Sequence, residues 1–176
     1  MKIVVLKFGG TSVADVPQIK KIALKIKLEV ELGYKVITVV SAMSGVTNNL
    51  INLVKNTSDI PPYSEYDTVL STGEQVTSAL LAIALDELKI KARSWLGWQV
   101  PIVTDNTHGK SVIEEIKTEG DVAISEAAQV RRYRVRHMPG GDQRLVGTQR
   151  LRLLLRHGTL RFVSLLSVFC NIKSPF

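Results

Sequence analysis

Lys7, Phe8, Gly9 and Gly10 follow directly on the apolar run Ile3, Val4, Val5 and Leu6, which places a cation and a paired-glycine turn at the end of a buried strand. Glycine has no Cβ to hold an anion away and tolerates positive φ, so the N–H groups of such a turn can point at phosphate oxygens. Lys7 adds a full positive charge. Phosphoryl transfer is the chemistry this suits, because there the protein mainly positions two anions and neutralises the charge spread over the moving group. The Gly-x-x-x-x-Gly-Lys-Ser/Thr spacing of a Walker A loop is absent. Ordinary α/β strands also end in a lysine and a glycine turn, and these few residues leave both readings open.

Two further stretches carry polar groups at places where a ligand could sit. Ser41, Ser44 and Thr47 lie in the small-residue turn Ser41-Ala42-Met43-Ser44-Gly45-Val46-Thr47-Asn48-Asn49, directly after a second apolar run, Val36 to Val40. In open parallel sheets, ligands bind beyond the carboxyl ends of the strands. Hydroxyl residues in such turns also serve as helix caps, and both roles remain open for these three. Ser71-Thr72-Gly73-Glu74 fits a capping box, in which the glutamate reaches back to the cap N–H; the pattern alone favours that structural role for Glu74. His108, in the polar turn Asn106 to Lys110, is read as incidental, and Trp95 and Trp98 as packing residues.

The elements that must position these groups follow from spacing. Asp15 caps a helix with Pro17 in its first turn, and Ile19, Ile22, Ala23, Ile26 and Val30 recur at helical spacing up to Gly33. Together with the strands before and after it, this makes a βαβ unit with a parallel pair. Leu50, Ile51, Leu53 and Val54 lie on a second helix. After Pro61 and Pro62, the residues Val76, Ala79, Leu80, Ile83, Ala84 and Leu88 pattern a third, starting at the capping box. A strand at Ala92 to Trp95, a short helix at Ser111 to Ile116 and a strand at Val122 to Ile124 complete the expectation.

The apolar share of 45% suits a globular core. The single cysteine, Cys170, allows no internal disulfide and suits a reducing cytoplasm, and the three histidines show no zinc-ligand spacing with it. The N-terminus reads as neither a secretory signal nor a membrane anchor, and no membrane partner is expected. The net charge of +7 is unevenly distributed: residues 1–128 hold 12 Lys, 1 Arg and 15 acidic residues, whereas residues 129–176 hold 9 Arg, 1 Lys and only Asp142. An abrupt change from lysine to arginine as the surface cation marks a boundary near Glu126 to Gln129.

Four ordered motifs together resemble the aspartokinases of the amino-acid-kinase family: Lys7 to Val13, Val39 to Asn48, Leu70 to Glu74, and Leu96-Gly97-Trp98-Gln99. The resemblance covers about residues 1–124. It implies a three-layer α/β/α sandwich of the carbamate-kinase type with a mainly parallel sheet, here incomplete. It also implies ATP- and Mg2+-dependent phosphorylation of the side-chain carboxylate of L-aspartate, the first step towards lysine, threonine and methionine, in an enzyme that is a homo-oligomer in the family. By the same resemblance Lys7 is catalytic, Lys7, Phe8, Gly9 and Gly10 bind ATP phosphates, Ser41 and Thr47 lie on the substrate side, and Glu74 holds the aspartate ammonium. No residue is assigned as a protein ligand to a metal.

The family continues its next strand into an Arg-Gly-Gly-Ser-Asp run, which supplies an arginine for the substrate carboxylate and an aspartate near the phosphates. Residues after Ile124 carry no such run. Residues 1–128 are therefore read as the N-terminal part of an amino-acid-kinase domain, and residues 129–176 as an Arg-rich tail unlike the family, expected not to pack against the rest. The tail is read as out-of-frame translation that leaves the chain inactive by itself. Two alternatives remain: a basic nucleic-acid arm through Arg131, Arg132, Tyr133, Arg134 and Arg136 on a nucleotide-fold binding module, and an accessory helix around Leu151, Leu154 and Leu155.

Overall fold

The computed structural model describes residues 2–96, 99, 102–106, 108, 113–116, 132–137, 143–149 and 166–170. At its centre, β1 (Lys2–Phe8) and β2 (Tyr34–Val40) run parallel and in register from Lys2 beside Tyr34 to Phe8 beside Val40. The helix between them, α1 (Val16–Glu31), starts as its residues dictate. Asp15 is extended, and its Oδ1 accepts the N–H of Gln18 at 2.8 Å, while Pro17 occupies the first turn. The chain turns back at Gly33, with φ of +83°, a conformation that disfavours any residue with a Cβ.

Alternation along the strands sends Val4, Leu6 and Phe8, with Val36 and Val40, to one face. Ile19, Ile22, Ala23 and Ile26 of α1 pack on them, and the cluster is closed by Leu81, Ala84 and Leu85 of α3 (Tyr63–Glu87). Val5, Ile37 and Val39, on the opposite face, are also buried. The helix α2 (Val46–Thr57) packs on α3. Although α3 is long and apolar enough to cross a bilayer, it buries Glu74, Thr77 and Ser78 among its core residues and packs on α1, α2 and β3 (Ala92–Trp95), as the core helix of a globular unit does.

Three expectations are corrected. The Ser71/Glu74 capping box is not a helix start, because α3 begins at Tyr63, eight residues earlier, and Glu74 lies mid-helix. The suggested cap hydroxyl bonds within the helix, Ser71 Oγ donating to the Thr68 carbonyl, as Thr68 Oγ1 does to that of Ser64 and Thr72 Oγ1 to that of Val69. Such back-bonding lets Ser and Thr ride inside a helix. The expected short helix near Ser111 to Ile116 is instead a strand, β5 (Ile113–Ile116), antiparallel to β4 (Ile102–Thr104); a nearby partner strand outweighs local propensity in so short a segment.

Thirdly, strands of the Arg-rich tail pair with the βαβ unit. The sheet order is β3-β8-β2-β1-β7-β6, with β6 (Arg132–His137), β7 (Gln143–Gln149) and β8 (Leu166–Cys170) antiparallel to their neighbours. The edges of β1 and β2 present unpaired N–H and C=O groups that favour any strand able to pair. Arg132, Arg134 and Arg136 of the basic arm thus lie on β6. The expected strand at Val122 to Ile124, Trp98 and the accessory-helix residues lie outside the described residues.

Candidate phosphate and amino-acid site

The polar groups singled out in the sequence gather where β1 and β2 end. The last rung of the parallel ladder continues into the turns: Ser41 N–H donates to the Phe8 carbonyl at 3.2 Å. Beyond Phe8 the Gly9 carbonyl accepts from both Ser12 N–H, at 2.9 Å, and Val13 N–H, at 3.2 Å, which closes a tight turn. Neither Gly9 nor Gly10 has positive φ, so the glycines are not needed for a left-handed turn. A steric reason exists for Gly10. A Cβ on Gly9 would stand in open space, whereas one on Gly10 would come within 3.0 Å of the Ala42 carbonyl oxygen.

Lys7, half-buried, shares a strand face with Val5, while Glu74 arrives on α3 from the face of Val4 and Leu6. Glu74 is 6% exposed, and its Oε1 accepts the N–H of Ala42 at 3.2 Å. Ser41 is half-buried just past β2, and Thr47 is half-buried in the first turn of α2. The α2 N-cap is Gly45, with φ of +80° and no side-chain cap bond, so Ser44 and Thr47 are not the caps that composition suggested. The first-turn N–H groups of α2 and the dipole behind them favour an anion at this end.

Hydrogen bonds and packing thus bring Phe8, Gly10, Ser41 and Glu74 together through Ala42 and its neighbours, with Lys7 at the same strand end. Sequence reasoning missed Ala42 and Gly73 as site-building residues; their only signal was small size beside polar neighbours. His108, read as incidental, is exposed, and its Nδ1 lies 3.5 Å from Asp67 Oδ2 of α3. The arrangement offers a cation, an open glycine turn and a buried carboxylate at one end of a parallel pair, which are the components for holding an anion and an ammonium side by side.

The model of the amino acid kinase family matches residues 2–136 of this chain. The chain belongs to that family. It is 52% identical over 122 residues to an aspartokinase of Rickettsia felis, an overlap that covers 68% of this chain and 30% of that protein. An aspartate kinase of Pseudomonas putida is 47% identical over 116 residues, 66% of this chain and 28% of its own length. In the crystal structure of aspartate kinase from Synechocystis, a region 46% identical superposes with a TM-score of 0.48, covering 50% of this chain and 15% of that one. This amino-acid-kinase chain therefore spans about 30% of the length of the curated relatives it matches.

Proposed function

We propose that residues 1–128 are the substrate-holding part of an aspartate kinase, which transfers the γ-phosphoryl group of ATP to the side-chain carboxylate of L-aspartate. The observation that carries this reading is the buried Glu74 carboxylate, held by the Ala42 N–H just past the end of β2. In the reading, Glu74 holds the aspartate ammonium, and Ser41 and Thr47 hold the substrate from the turn beside it. Phe8, Gly9 and Gly10 supply backbone to the phosphates, and Lys7 neutralises the charge that develops on the transferring group. The acceptor carboxylate is ionised at neutral pH, so it attacks phosphorus directly and no general base is required. Mg2+ accompanies the phosphates and is held largely by substrate oxygens.

The same reading makes the 176-residue chain inactive by itself, since the sequence after Ile124 lacks the arginine and aspartate the resemblance calls for. Residues 129–176 form a tail whose strands complete the sheet but not the site, in a cytoplasmic protein. The experiment joins residues 1–124 to the second half of the Rickettsia felis aspartokinase and traps the acyl phosphate as a hydroxamate, with ATP, Mg2+ and L-aspartate. The fusion turns over; Lys7→Ala lowers kcat on the order of a hundredfold, as the loss of a preorganised charge does. Glu74→Gln raises the KM for aspartate far more than that for ATP. An inactive fusion whose folding is intact, or an unchanged kcat in Lys7→Ala, contradicts the reading.

A further inference from the structure

Ala42 meets three parts of the site with three different groups. Its N–H donates to Glu74 Oε1 at 3.2 Å, its carbonyl oxygen stands 3.0 Å from where a Cβ on Gly10 would be, and its own Cβ stands 2.9 Å from where a Cβ on Gly73 would be. It is 5% exposed. We propose that Ala42 is a positioning residue: a one-methyl spacer that sets the height of Glu74 on α3 against the turn at Gly9 and Gly10. The proposal takes its ligands from the aspartate-kinase reading, but its geometry stands without them.

Gly73 carries the argument. It lies inside α3, where glycine costs about 1 kcal/mol relative to alanine, and it has no positive φ to justify that cost. Its missing Cβ has a steric reason instead, since an added methyl would overlap the Ala42 Cβ and press on Leu50 Cδ1 and Val46 Cγ1, both at 3.4 Å. The leucine and valine methyls can yield by a few tenths of an ångström. Ala42 yields less, because it hangs on backbone fixed from both sides: the Ser41 N–H is bound to Phe8 and the Ala42 N–H to Glu74. A methyl at position 73 therefore pushes α3 away, and the next residue along that helix is Glu74. Gly10 meets the same wall from the β1 side. The two glycines and the alanine fit as one set, in which bulk added at one position must be removed at another.

The test uses the whole 176-residue chain, labelled with 15N. Gly73→Ala should lower amide-exchange protection at residue 42 at least tenfold while protection in β1 and α1 changes less than threefold. Adding Ala42→Gly, which opens the space that the new methyl needs, should restore protection at residue 42 to within threefold. L-aspartate affinity should follow the same course, at least tenfold weaker in the single variant and recovered in the double, while affinity for inorganic triphosphate changes less than twofold. Ala42→Gly alone, which adds no bulk, serves if Gly73→Ala fails to fold, and should weaken L-aspartate several-fold in a chain of intact secondary structure. Protection at residue 42 that ignores Gly73→Ala, a double variant no better than the single, or an Ala42→Gly chain with unchanged L-aspartate affinity would overturn the proposal. If amide 42 follows the expected course but the unaltered chain binds no L-aspartate, the aspartate reading fails and the spacer stands.

Discussion

Replacing Thr38 by valine should make the fold more stable. Thr38 sits in the middle of β2, fully buried, and alternation places its side chain on the core face with Val36 and Val40, beneath α1 and α3. Its Oγ1 has no hydrogen-bond partner. A hydroxyl taken out of water without compensation costs roughly 1–3 kcal/mol. Valine has nearly the same shape, keeps the β-branch that suits a strand, and adds a methyl to an apolar surrounding. The backbone rungs to Leu6 and Val168 are untouched by the change. The expected gain is about 1–2 kcal/mol, which for a chain of this size corresponds to a rise in Tm of roughly 3–6 °C. Urea titration followed by circular dichroism measures it, with a higher midpoint and an unchanged slope as the expected result. A loss of stability in Thr38→Val would show that the hydroxyl is engaged and refute the reasoning.

The start and end of α1 make two more predictions. Asp15→Ala removes the acceptor of the Gln18 N–H and should cost about 1 kcal/mol, read as a lower urea midpoint, whereas Asp15→Ser should retain most of the stability. Gly33→Ala should also cost about 1 kcal/mol, although a Cβ there meets nothing within 4 Å, because the φ of +83° is itself unfavourable; Gly33→Asn, better tolerated in that region, should cost less in the same titration.

The βαβ core was legible because its signals are local and agree: an apolar run, an N-cap followed by proline, helical spacing and a closing glycine all fall within the first 40 residues. The start of α3 was not. Ser71 and Glu74 satisfy the capping pattern, yet their backbone groups are already inside a helix that Pro62 and Tyr63 begin, and only the burial of Glu74 against Ala42 reveals its place. For β5, the pairing with β4 decided between helix and strand, and four residues carry too little periodicity to show it. The pairing of β7 and β8 beside β1 and β2 has no local signature either, since it depends on edges that exist only once the parallel pair has formed. Within the site, charged and hydroxyl residues stood out by type. Ala42 and Gly73 matter through what they leave out, which no motif of polar residues records.

A paired titration of the 15N-labelled chain with L-aspartate and with succinate tests most directly whether Glu74 receives an ammonium group. The two ligands share both carboxylates and the carbon skeleton; succinate lacks the ammonium. The amide of Ala42, bonded to the Glu74 carboxylate at 3.2 Å, is the reporter. L-aspartate is expected to shift this amide and to bind at least tenfold more tightly than succinate, and Glu74→Gln to remove the preference without unfolding the chain. Equal affinities for the two ligands, or a preference that survives Glu74→Gln, would contradict ammonium binding at Glu74.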